Sequence, residues 1–85
     1  MEHGIVYDFK IFGHEAIVHN RRMEISLPDY ELATKVLLRV GNLILDKKLR
    51  SLRINLPDKL IFVRAHDKQQ LAISCEDLNN RGNSS

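Results

Sequence analysis

Four histidines, one cysteine and eleven carboxylates are the side chains of this 85-residue chain with the chemistry to move protons, attack carbon or hold a metal. Each needs company at the right spacing. His14 and His19 are five apart, and an odd spacing along a strand sends side chains to opposite faces. His3 and His66 are remote from both in sequence. The chain contains no C-x-x-C, H-x-x-x-H or H-E-x-x-H string, so no metal site is expected.

Cys75 would act as a nucleophile only beside a base, in an exposed and electropositive setting. It continues the alternation of Leu71 and Ile73, which predicts a packed core thiol. The carboxylates Asp8, Glu15, Glu24, Asp46 and Asp67 are scattered, and no two form an evident acid–base couple. The glycines Gly4, Gly13, Gly41 and Gly82 make no phosphate-cradling loop. The expectation is a protein that is not an enzyme and has no cofactor, metal or small-molecule ligand.

Two other groups point to binding. The first is basic. Lys47, Lys48, Arg50, Arg53, Lys59 and Arg64 lie in one segment against only Asp46 and Asp58, and Arg21 with Arg22 adds a second cluster. If the end of a helix and the hairpins meet at one edge, these cations join into a patch suited to phosphates. Stacking aromatics would be wanted as well, but Phe62 is expected in the core. The net charge, +2 from 13 basic and 11 acidic residues, is too small to decide the matter.

The second group is apolar. Over "PDYELATKVLLRVGNLILDKKL", Leu32, Val36, Val40 and Leu43 repeat with helical period, widened by Ala33, Leu37 and Ile44. Leu38 and Leu45 fall outside that stripe. With Thr34 and Gly41 they occupy i, i+4, i+7, i+11, the seam spacing of paired helices. Gly41 costs about 1 kcal/mol relative to Ala inside a helix, and it lets another backbone come close. Thr34, Leu38, Gly41 and Leu45 are therefore the expected partner interface, with two-fold self-association the simplest form. An open sheet edge would be a second means of association.

The elements that must position these groups can be read from periodicity. "IVYDFKIF" alternates and reads as a strand, Gly13 and His14 turn the chain, and "EAIVH" is a short second strand. Asn20 and Arg21 can make a tight turn into "RMEISL", although an unbroken strand from Glu15 to Leu27 is an alternative. Pro28 is expected to open the helix, with Ser26 or Leu27 as its cap. After the helix, "LRINL", "LIFVRA" and "LAISC" return to strand character, separated by Pro57-Asp58 and by "HDKQQ". The string I-x-L-P-D occurs twice, at Ile25–Asp29 and Ile54–Asp58. The residues after each copy differ completely, "YELATKVLL" reading as a helix and "KLIFVRAHD" as the second arm of a hairpin. The shared string is strand punctuation and not an internal repeat.

The predicted fold is α+β: a single mostly antiparallel sheet made of two β-meanders, in the order β-β-(β)-α-β-β-β, with one long helix packed on one face. Residues 1–78 form the domain, and residues 79–85 are expected to be a disordered polar tail. With 44% hydrophobic residues the chain can build a core. No apolar run approaches the ~20 residues of a membrane span. The opening residues lack the basic and apolar regions of a signal peptide. A single cysteine rules out an internal disulfide. The expected location is therefore the cytoplasm. The expected function is a small interaction or regulatory module that forms a homodimer or binds a protein partner. The alternative is a nucleic-acid-binding accessory protein.

Overall fold

The computed structural model describes residues 6–78, with side chains from residue 10 onward. The expected tail, 79–85, lies outside the described residues. Strands β1 (Val6–Ile11), β2 (His14–His19) and β3 (Arg22–Ser26) form one meander; helix α1 (Tyr30–Leu45) comes next; β4 (Ser51–Asn55), β5 (Lys59–Ala65) and β6 (Leu71–Asp77) form the second. All six strands join one sheet in the order β1-β2-β3-β4-β5-β6. Every neighbouring pair is antiparallel except β3 and β4, which run parallel because the helix carries the chain back to the starting end. The α+β prediction holds.

The turns explain the strand boundaries. Asn20 and Arg21 both have positive φ, 59° and 64°, as a two-residue type I′ hairpin requires. The unbroken Glu15–Leu27 strand is thereby excluded. The first hairpin turns at Phe12-Gly13, with φ of 53° and 82°, one residue earlier than expected. Both central residues of this turn must be left-handed, and Gly13 fills the second position without strain.

The helix starts later than expected. Asp29 is its cap, with Oδ1 accepting from the Leu32 amide at 3.0 Å. Neither Ser26 nor Leu27 caps it, because Leu27 still donates to the Asn55 carbonyl at 2.9 Å and extends the sheet. The two I-x-L-P-D strings thus lie side by side: Ile25 pairs with Ile54 in the parallel register. Each Pro ends its strand at the same level of the sheet. From there Asp29 caps the helix, and Pro57-Asp58 turn the chain into β5, with the Leu56 amide donating to the Lys59 carbonyl at 2.9 Å.

The core is a single layer between α1 and the sheet. Met23, Ile25, Leu52, Ile54, Ile61 and Val63 meet Ala33, Val36, Val40 and Ile44. The buried helix stripe is rotated from the expected one: Leu43 is exposed and Gly41 is buried. Hydropathy alone centres the stripe on the large residues. The small ones, Ala33 and Gly41, decide which side can come closest to the sheet. No helix among the described residues is long and apolar enough to cross a membrane.

Candidate functional site: an apolar groove and a basic pole

A single helix cannot cover this sheet. Six strands about 4.8 Å apart span roughly 24 Å, and a helix with its side chains is about 10 Å wide. A strip on each flank is left over. On the β1–β2 flank, the Phe12 ring and Arg39 close part of the strip, with the guanidinium 5.2 Å from the ring centroid. On the β6 flank the strip stays open among the described residues. Ile73 is 54% exposed, and Cys75 beside it is exposed too. The expected core thiol is therefore at the surface, although Leu71, Ile73 and Cys75 do share the helix side of β6, opposite Ala65, Val63 and Ile61.

An apolar groove results. Ile54 and Ile61 form its floor, Ala33, Thr34 and Leu37 its helix wall, and Ile73 and Cys75 its strand wall. Tyr30 stands at its end, with the Lys59 ammonium 5.7 Å from the ring centroid. Beyond Ile73 and Cys75 lies the outer edge of β6, the last strand of the sheet among the described residues.

The four residues expected to form a helix seam do not make one: Thr34 and Gly41 are on this flank. Leu38 is 75% exposed, Thr34 is exposed with its hydroxyl donating to the Tyr30 carbonyl at 3.1 Å, and Leu45 is half-buried. Gly41 is buried, and a Cβ there would lie 3.1 Å from Leu71 Cδ1. The close approach that Gly41 permits is thus made by the chain's own β6, not left for a partner. A helical wheel shows that a small residue sits on a flank; it does not show which neighbour fills the space.

The basic residues divide by strand direction. β3 and β4 begin, and β2, β5 and α1 end, at one end of the molecule. Arg21, Arg22, Lys47, Lys48, Arg50 and Arg64 gather there. The Arg21 guanidinium donates to the Lys47 carbonyl at 3.2 Å, the Arg50 amide donates to the Arg21 carbonyl at 2.6 Å, and Ser51 pairs with both Arg22 and Arg64. Lys59 does not join them. It begins β5 at the opposite end, paired with Asp77, because a hairpin carries a contiguous run of sequence to both ends of a sheet. Glu15, Asp29, Glu31, Asp58, Glu76 and Asp77 lie toward that opposite end with Lys10 and Lys59, while Asp46 and Asp67 lie at the end with the arginines, so the two ends differ in sign on balance.

Arg53 is on the sheet face away from the helix. One cross-strand row there reads Ile17, Glu24, Arg53, Phe62, Ser74. The next row toward the basic pole reads His19, Arg22, Ser51, Arg64, Ala72. Phe62 is 38% exposed and Ile17 is 47% exposed. The expected core position of Phe62 is therefore corrected: it faces out among arginines. The signal was in "LIFVRA", which is apolar on both faces, whereas α1 covers only one. Glu24 accepts from Asn55 Nδ2 at 2.8 Å.

His14 and His19 sit at opposite ends of β2. Among the described residues, no three His, Cys, Asp or Glu side chains cluster closely enough to hold a metal. Comparisons with family models, with curated proteins and with solved structures each returned no match.

Proposed function

We propose that this chain is a small non-catalytic interaction module that self-associates along the α1–β6 flank. The observation that supports this best is the apolar groove walled by Leu37, Ile73 and Cys75 beside the outer edge of the sheet. A strand edge that no described strand pairs with presents backbone donors and acceptors that a second strand satisfies, and an apolar groove beside it supplies side-chain burial. A second copy meets both needs at once. Antiparallel pairing of two β6 strands about a two-fold axis at Ser74 sets Ile73 opposite Cys75 of the second copy. The two grooves then merge across the axis into one apolar seam. A chain of 85 residues with one core layer also gains stability from such pairing. One exposed thiol with no second cysteine fits a reducing compartment, and the cytoplasm is the proposed location.

The test is mass in solution by light scattering, for wild type and for Ile73→Glu. The expected result is a wild-type dimer and a folded, monomeric variant, with folding checked by circular dichroism. A wild type that stays monomeric at 100 micromolar and above overturns the reading.

A further inference from the structure

The face of the sheet opposite the helix plays no part in that self-association. We infer that this face and the basic pole beside it bind single-stranded nucleic acid. Four observations converge on it.

Cations dominate this end of the molecule. Strand direction brings Arg21, Arg22, Lys47, Lys48, Arg50 and Arg64 together although they are spread over much of the sequence. Asp46 and Asp67 are the carboxylates at this end among the described turns, outnumbered by the six cations, so a polyanion meets an oriented field as well as local charges. Next, the patch continues onto a platform. Arg22, Arg53 and Arg64 lie on adjacent strands of the open face, and Phe62 and Ile17 are exposed in the same row as Arg53. A shallow cleft on that face is lined by Ile17, Arg22, Arg53 and Phe62, with Glu24 across from Arg53. Arginines track phosphates, while an exposed aromatic face offers a base something to stack on.

The backbone supplies the third observation. Arg21 and Lys47 both adopt left-handed conformations, φ 64° and 68°, where glycine or asparagine is favoured. Both positions carry a long cation instead, and they are linked by the Arg21–Lys47 hydrogen bond. The type I′ turn and the end of α1 set these two conformations, and together they hold two long cations at this pole. Finally, the shape selects the ligand. A flat sheet face with an exposed ring suits unstacked bases. Reading duplex DNA would call for an element to enter its major groove, and the exposed side of α1 mixes Glu31 and Leu38 with Lys35 and Arg39, so it presents no uniformly basic surface.

The test is fluorescence anisotropy on the intact chain with a fluorescein-labelled 12-mer of mixed sequence. The probe is presented as single-stranded RNA, as single-stranded DNA and as duplex DNA, at several salt concentrations. Co-sedimentation with phosphatidylserine/phosphatidylcholine vesicles is the membrane arm. Single strands are expected to bind best. Arg22→Ala/Arg64→Ala should flatten the slope of log K against log salt by about 1.4, at about 0.7 per phosphate contact on single strands. Phe62→Ala should weaken binding roughly 5- to 150-fold and leave that slope unchanged, since stacking releases no counterions. Absence of binding at 20 mM salt overturns the inference. Equal affinity for duplex or vesicles with no dependence on Phe62 also overturns it, and reduces the patch to a general polyanion surface. None of these variants lies on the α1–β6 flank, so this result and the light-scattering result stand or fall separately.

Discussion

Lys47→Gly should make this protein more stable than Lys47→Ala, although both variants lose the same favourable charge. Helix α1 ends in a Schellman arrangement: the Lys47 amide donates to the Ile44 carbonyl at 3.0 Å and the Lys48 amide to the Leu43 carbonyl at 2.8 Å. That geometry puts Lys47 at the left-handed position, with φ 68°. A non-glycine residue there costs roughly 1–2 kcal/mol. Glycine relieves this but gives the unfolded chain more freedom, which offsets about 0.4–1 kcal/mol. The cation at the helix C-terminus contributes about 0.3–1 kcal/mol at low salt, and this is lost. Lys47→Ala isolates the backbone effect, because alanine loses the same charge and keeps the strain. The difference between the two variants should be about 0.5–1 kcal/mol in favour of glycine. For a domain of this size that corresponds to a rise of roughly 2–8 °C in Tm. Urea and thermal unfolding of both variants, in moderate salt to suppress the charge term, give the comparison. A glycine variant no more stable than the alanine variant would refute the assignment of strain to this residue.

The same packing sets two further outcomes. Gly41→Ala should raise stability by up to about 1 kcal/mol through helix propensity, because the atom it meets at 3.1 Å is the flexible tip of half-buried Leu71. The mass in solution should not change, and a Gly41→Ala variant that dissociates to monomers would return Gly41 to the interface. Ile73→Cys should form two intermolecular disulfides with Cys75 of the second copy under mild oxidation, since opposed residues of paired strands have Cα atoms about 4.5–5.5 Å apart, within disulfide range. Non-reducing electrophoresis reads this, and a variant that stays uncrosslinked while light scattering still reports a dimer sinks the Ser74-centred register.

The two proposed surfaces use opposite sides of one sheet. Pairing at β6 would extend the open face of one copy into that of the other and double the basic platform without new chemistry. Binding of longer oligonucleotides would then gain avidity in proportion to how well they span both platforms.

Local physics in the sequence determined the elements. Alternation in "RMEIS" and "LRIN", the left-handed preference at Asn20 and the helical period from Leu32 to Ile44 mark the strands, turn and helix without reference to distant residues. The basic residues were legible as a list, as was the odd position of Leu38. What tertiary structure decided was which residues meet. It rotated α1 so that Ala33 and Gly41 face inward, gave the space at Gly41 to Leu71, and left Ile73 and Cys75 uncovered. The order of the strands gathered Arg21, Lys47, Arg50 and Arg64 while sending Lys59 to the far end. Periodicity reports that a residue has an apolar face to bury, but the width of the sheet against the width of one helix decides whether anything covers it. That comparison of widths left Cys75 at the surface, and the helix lying on only one face of the sheet left Phe62 there, although both read as core from their neighbours in sequence.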